Sequence, residues 1–178
     1  MKYGYILYAC PVGPMAKQID LYFEQSKAEV GVNTAHSYMP HCTLTGFFKD
    51  ESSAAAGYAS TLQKIVSNSA RKKPNPPIKI TGLYFSEKFH GLTLESVWLK
   101  AVTQNFKNLG NSPTRNEEIR PKDWLHLSLA YNFDIQDHAE LERLARTTID
   151  LSAPIGWELR LYERAIDQTW ELHFSQAI

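Results

Sequence analysis

Cysteine is nearly absent: Cys10 and Cys42 are the only two in 178 residues. Two thiols without a repeating spacing make neither a disulfide framework nor a zinc-finger pattern, and they suit a reducing, cytoplasmic setting. Charge of one sign is not in excess either. Lys plus Arg number 19 and so do Asp plus Glu, so the long-range attraction that dominates binding to a polyanion is missing. Any anionic ligand is therefore expected to be small, unless a local basic pocket hides within the neutral sum. No apolar run reaches the length needed to cross a bilayer. The one stretch that resembles a leader, "MKYGYILYACPVG", is interrupted by Gly4, rich in tyrosine and closed by Pro11, so it reads better as a strand. A glycine loop of the kind that cradles nucleotide phosphates is missing as well.

What is present suits one globular domain over 1–178, with hydrophobic residues at 43% and charged residues at 21%. "YGYILYAC" reads as a strand. Pro14 leads into a helix through "MAKQIDLYFEQSKAEV", with Ile19, Leu21, Tyr22 and Phe23 on its apolar side. "HCTLTGFF" is the next strand, followed by a helix over "ESSAAAGYASTLQKIVSNSA" with Ser52 or Ser53 as N-cap. "RKKPNPP" (71–77) is the one linker-like stretch. Strands "IKITGLYF" and "FHGLTLES" follow, then the helix "VWLKAVTQNFKNLG", ended by Gly110. A polar loop leads to the strand "WLHLSLAYNF", the helix "DHAELERLARTTI" and the strands "GWELRLYERAI" and "TWELHFSQ".

The two halves repeat. A His-x-Thr/Ser strand, a helix and two strands run from His41 to about Leu94, and again from His126 to about Phe174. Neither unit can hide a sheet face alone. The expectation is a duplicated, bilobal α+β fold, with two antiparallel sheets around a central cleft and helices on the outside.

Side chains alternate along a strand, so residues i and i+2 share a face. His41, Thr43 and Thr45 then oppose Cys42 and Leu44, while His126 and Ser128 oppose Leu125, Leu127, Leu129 and Tyr131. The leucine faces belong to the core, which leaves the histidines for solvent or a cleft. A single such pair is commonly a hydrogen-bonded strand residue and no more. Two copies in matching places would aim two imidazoles and two hydroxyls at one cavity. Such a set suits phosphodiester chemistry: one imidazole takes a proton while the other gives one, and hydroxyls hold the non-bridging oxygens. Zinc is the rival use of paired histidines, but it wants a third protein ligand, and the other four histidines show no ligand-like spacing. Tyr3 and Tyr5 share one face of the first strand and Tyr8 the other, and aromatics there would stack on a base or pack in the core. Arg115, Arg120 and Lys122 precede the second motif on a loop and would meet a phosphate or remain solvated. Glu158 and Glu163 are expected to pair with cations or to orient a histidine.

"HCTL" and "HLSL" on matching strands resemble the paired motif of the two-histidine phosphoesterase superfamily. "HCTLTGFF", "WLHLSLAYNF" and "WELRLYERA" particularly resemble the phosphoesterase domain of the TULA-type ubiquitin-binding proteins, though this chain has no room for their other domains. The resemblance implies His41, Thr43, His126 and Ser128 as the catalytic set, with substrate contacts expected from Tyr5, Tyr8, Tyr131 and Lys122. It implies a phosphoric diester hydrolase of the cyclic nucleotide phosphodiesterase type, without metal or cofactor. Expected substrates are 2′,3′-cyclic nucleotides and cyclic or short 2′–5′ and 3′–5′ oligonucleotides. A non-catalytic phosphate-binding module and an RNA-end-processing or 2′–5′ ligase-like enzyme are the alternatives. No membrane association and no obligate protein partner are inferred, and a monomer is expected.

Overall fold

The structure, a computed structural model, describes residues 3–72 and 78–178. Eight strands form one antiparallel sheet: β1 (Tyr3–Val12), β2 (Cys42–Thr43), β3 (Phe48–Asp50), β4 (Lys79–Ser86), β5 (Phe89–Glu95), β6 (His126–Tyr131), β7 (Gly156–Arg164) and β8 (Trp170–Ala177). Their order is β4-β5-β6-β2-β1-β7-β8, with β3 also paired to β1. The α+β class is as expected, but the two expected sheets are one. The junction is slender: β2 meets β6 through a single register pair, Cys42 with Leu127. The repeat is also not a pair of self-contained blocks. The β4–β5 hairpin pairs with β6, and the β7–β8 hairpin pairs with β1, so each hairpin joins the strand of the other half.

Four helices cover one side of this sheet. Helices α2 (Ala55–Lys72) and α3 (Val97–Leu109) place Tyr58, Leu62, Val66, Leu99 and Phe106 against Tyr5, Leu7, Leu159 and Leu161. Helices α1 (Pro14–Glu29) and α4 (His138–Thr148) place Met15, Ile19, Tyr22, Leu141 and Leu144 against Leu92, Leu127 and Leu129. A smaller cluster of Ile6, Tyr8, Cys10 and Tyr162, backed by Met39, Phe47 and Trp170, occupies the opposite side. Leu21, expected on the apolar side of α1, is 45% exposed.

Helix ends follow local chemistry in part. Pro14 opens α1, where its missing N–H costs nothing. Ser96 caps α3 by accepting from the Leu99 N–H, and Gly110 closes it. The expected Ser52 or Ser53 cap of α2 is not made; Ser52 lies in a 3₁₀ turn, and its hydroxyl donates to Glu163. Of the linker-like stretch 71–77, Arg71 and Lys72 end α2 and 73–77 lie outside the described residues. No helix of the described residues is long and apolar enough to cross a membrane.

The expected strand 41–48 is broken. Leu44 N–H still donates to the Leu7 carbonyl, but the Leu7 N–H goes to the Thr45 hydroxyl. A side-chain acceptor has replaced the ladder. The chain then turns to the loop before β6, with Gly46 N–H on the Arg120 carbonyl and Lys122 N–H on the Leu44 carbonyl. That exchange of partners brings Lys122 beside the first motif. The same loop is tied to β3 by Asp50, which accepts from Thr114 and Tyr58 at 2.6 Å each.

Candidate active site

His41 enters β2 and His126 opens β6, on the side of the sheet away from the helices. In the antiparallel register of Cys42 with Leu127, His41 lies across from Ser128 and Thr43 across from His126. Continuing that register puts each histidine at the strand position opposite the hydroxyl residue of the other motif.

The two imidazoles are held alike. His41 Nδ1 is 2.7 Å from the Met39 carbonyl, and His126 Nδ1 is 3.3 Å from the Trp124 carbonyl, in both cases two residues upstream. A carbonyl can only accept, so Nδ1 carries the proton and Nε2 is the open position. Each ring also rests on an aromatic one: His41 on Tyr8 and His126 on Trp124, both with centroids 4.0 Å apart. Burial lowers the affinity of both for a proton. For His41 the Met39 carbonyl works against that and the charge of His126 adds to it. For His126 the Trp124 carbonyl opposes the shift and Lys122 reinforces it.

Both histidines line a cavity of about 310 Å³. Thr43 and Lys122 lie in the same wall, with Tyr8, Tyr38 and Tyr131 supplying aromatic surface and Ile6, Gly46 and Phe47 closing it. The Tyr8 phenol is held protonated, since burial raises its pKa. The cavity therefore offers two imidazoles, a hydroxyl, a cation and three phenols. Ser128 shares the strand face of His126 beside it, half-buried.

No family model matches the chain. It is 32% identical over 167 residues to the ecdysteroid-phosphate phosphatase of Bombyx mori, covering 90% of this chain and 24% of that protein. It is 34% identical over 165 residues to the human ubiquitin-associated and SH3 domain-containing protein B, covering 91% and 25%. The Drosophila melanogaster ecdysteroid-phosphate phosphatase is 29% identical over 197 residues, covering 90% and 26%. The chain belongs to the two-histidine phosphoesterases. It spans about a quarter of the length of the curated relatives it matches.

In this two-histidine phosphoesterase the expected substrate contacts divide. Tyr8, Tyr131 and Lys122 line the cavity. Tyr5 does not. Pleating turns it to the helix side, fully buried, where its hydroxyl donates to Glu163 at 2.7 Å. Tyr131 reaches the cavity by a route that strict alternation excludes. Gly91 pairs with Ser128 and Phe89 with Tyr131, three residues of β5 against four of β6. The extra residue is a bulge that returns Tyr131 to the histidine face, while Leu129 and Ala130 both go to the core. Gly91 permits this, because a Cβ there would lie 2.5 Å from the Leu127 carbonyl oxygen.

Thr45, expected beside Thr43, is buried with its hydroxyl on Leu7 N–H. Glu163 does pair with a histidine, but with His173 at 3.0 Å and on the helix side. Glu163, Glu171 and His173 could together hold a metal ion, and the set includes neither motif histidine. Glu158 holds Arg160. Arg115 is packed over Phe48 and Tyr58 and donates to the Gly110 carbonyl, away from the cavity. The residues missed in the sequence are Tyr38, Phe47, Gly46 and Ile6. Ile6 was legible as the strand neighbour of Tyr8; Tyr38 and Phe47 sit in irregular backbone, where no periodicity marks a face.

Proposed function

We propose that this domain is a metal-independent phosphodiesterase acting on small nucleotide phosphodiesters, such as 2′,3′-cyclic nucleotides and short 2′–5′ or 3′–5′ oligonucleotides. The observation that carries this reading is the shared restraint of His41 and His126. Each spends Nδ1 on a backbone carbonyl and lies in the cavity wall with Nε2 open. With one ring neutral and one protonated, the first takes a proton from the attacking water while the second gives one to the departing oxygen. The P–O bond of the diester breaks, leaving a phosphate monoester and a free hydroxyl. Thr43 and Ser128 donate to the non-bridging oxygens as charge builds on them. Lys122 adds a cation to the cavity wall, and the half-buried Tyr38 and Tyr131 give aromatic surface on which a base can stack.

Incubation with cyclic mononucleotides, cyclic dinucleotides, short oligonucleotides and phosphate monoesters in EDTA tests the reading, with products identified. The monoester arm matters because two relatives are named as phosphatases. Turnover of a diester that survives chelation supports the proposal. Tight binding of diesters without turnover would replace it with a phosphate-binding module.

A further inference from the structure

Gly4 lies on the cavity side of β1, and its register partners are Arg164 on β7 and Lys49 on β3. Directly opposed residues of antiparallel strands share a face, so two cations flank a position without a side chain. Phe47 fills the gap: a Cβ on Gly4 would come 3.1 Å from its ring. The Arg164 guanidinium lies over the same ring, 5.9 Å from the centroid, and over Trp170 at 5.3 Å. From the other direction Arg120 donates to the Phe47 carbonyl at 3.3 Å. Arg164 thus lies over the Phe47 ring, Arg120 holds the Phe47 carbonyl and Lys49 sits across Gly4 from Arg164; that ring is itself part of the wall of the cavity that holds His41 and Thr43.

Among the described residues no carboxylate forms an ion pair with Arg164, Lys49 or Arg120. Of the acidic groups nearby, two are engaged elsewhere and one sits on the Lys49 backbone. Glu163 faces the helix side with Tyr5 and His173, Glu118 pairs with Lys107, and Glu117 accepts the backbone N–H of Lys49. Arg164 Nε is buried without a hydrogen-bond partner, a state that costs free energy until an acceptor arrives. A chain with no net charge thus carries, among the described residues, three cations without carboxylate partners next to Gly4 and Phe47, the latter a residue of the cavity wall. Stacking on Phe47 and Trp170 holds the Arg164 fork in place, which reduces the entropy lost on binding an anion.

We propose that Arg164, Lys49 and Arg120 form a second anion subsite, which takes a further phosphate of the substrate, set apart from the phosphodiester at the histidines. The inference rests on the phosphodiesterase reading for its account of the first site. It identifies the preferred substrate class as nucleotides carrying at least two phosphoryl groups.

Two measurements on the full chain test it separately from that reading. The first compares kcat/KM for a 2′,3′-cyclic nucleotide with that for its 5′-phosphorylated counterpart. The second is calorimetric and needs no turnover: affinity for a nucleoside 3′,5′-bisphosphate is set against that for the 3′-monophosphate. Charge-assisted contacts of this kind give a preference for the second phosphate of about 10- to 100-fold. Arg164→Gln with Lys49→Gln should bring both ratios close to one, and Arg164→Lys should retain part of them. Lys49→Gln alone, at an exposed position, reads the subsite without disturbing packing. A calorimetric preference lost in the variants, with no diester turned over, upholds the subsite and sinks the phosphodiesterase reading. Diester turnover in EDTA with equal affinity for the two nucleotides sinks the subsite and leaves the first reading standing.

Discussion

Cys42 pairs with Leu127 where β2 meets β6, and that one register pair sets His41 against Ser128 and Thr43 against His126. The two motifs are therefore halves of a single site. Replacing either histidine by alanine should lower kcat on the best diester by about a hundred- to ten-thousand-fold. Groups that act as a unit are not additive, so the double variant should lose little more than either single one. Circular dichroism should be unchanged, since both rings line the cavity and not the core. A single variant with near-wild-type turnover would remove that histidine from the mechanism.

The hydroxyls face a narrower test. Thr43→Val keeps the shape of the side chain and Ser128→Ala removes little more than one oxygen. Each should cost on the order of 3 kcal/mol of transition-state stabilisation, read as a drop in kcat/KM in a stable, folded protein. If kcat/KM holds in both variants, the phosphate oxygens are bound by something else.

Activity should peak on the acid side of neutrality. Burial pushes the proton affinity of His41 and His126 below the ordinary imidazole value, and their mutual repulsion adds to this for His41. At neutral pH both rings are then mainly neutral and the general acid is scarce. It is gained as pH falls, until the second ring protonates and the base is lost, which gives a bell in kcat/KM belonging to the pair. Lys122 lowers the His126 value, so Lys122→Gln should move the His126 limb to higher pH and identify it. A maximum in kcat/KM above about pH 7 would contradict the ordinary imidazole value as an upper bound.

Gly91 is the structural counterpart of Tyr131. A methyl group there meets the Leu127 carbonyl oxygen at 2.5 Å and Phe89 Cζ at 2.6 Å. Gly91→Ala should destabilise the protein by about 1–3 kcal/mol, measured as a lower denaturant midpoint. It should also weaken substrate binding, because relief of the clash displaces the bulge that delivers Tyr131. An alanine variant of unchanged stability would mean the sheet absorbs the change elsewhere.

Much of this was legible in the residues. His41 and His126 stood out because their spacing to Thr43 and Ser128 follows the strand period, and Ser96 and Gly110 marked α3 by local rules. What escaped the sequence depends on partners distant along the chain. Thr45 takes the Leu7 N–H and ends β2 early; nothing within 41–48 announces it. Tyr131 follows a bulge set by Gly91 on the neighbouring strand. Tyr5 and Tyr8 lie on opposite faces, as strand alternation requires, yet which face belongs to the cavity is decided by the helices. The cations around Phe47 come from β3, β7 and a loop, so only the completed register brings them together.

The register of β1 has a consequence for synthesis. Its second edge is covered by β7, with Gly4 opposite Arg164 and Val12 opposite Gly156, so β1 waits for residues made at least 144 positions later (156 − 12). Until then a ribosome-bound chain carries Tyr5, Ile6, Leu7 and Tyr8 on an unpaired edge, a template for pairing with neighbouring chains. Contacts this distant along the sequence also form late. Nascent chains arrested before Gly156 should be cut within β1 by added protease, and chains that have released β8 should be protected. Protection of the shorter chains would show that the edge is covered without β7. Exposure of that edge during translation is a point at which this architecture is open to aggregation.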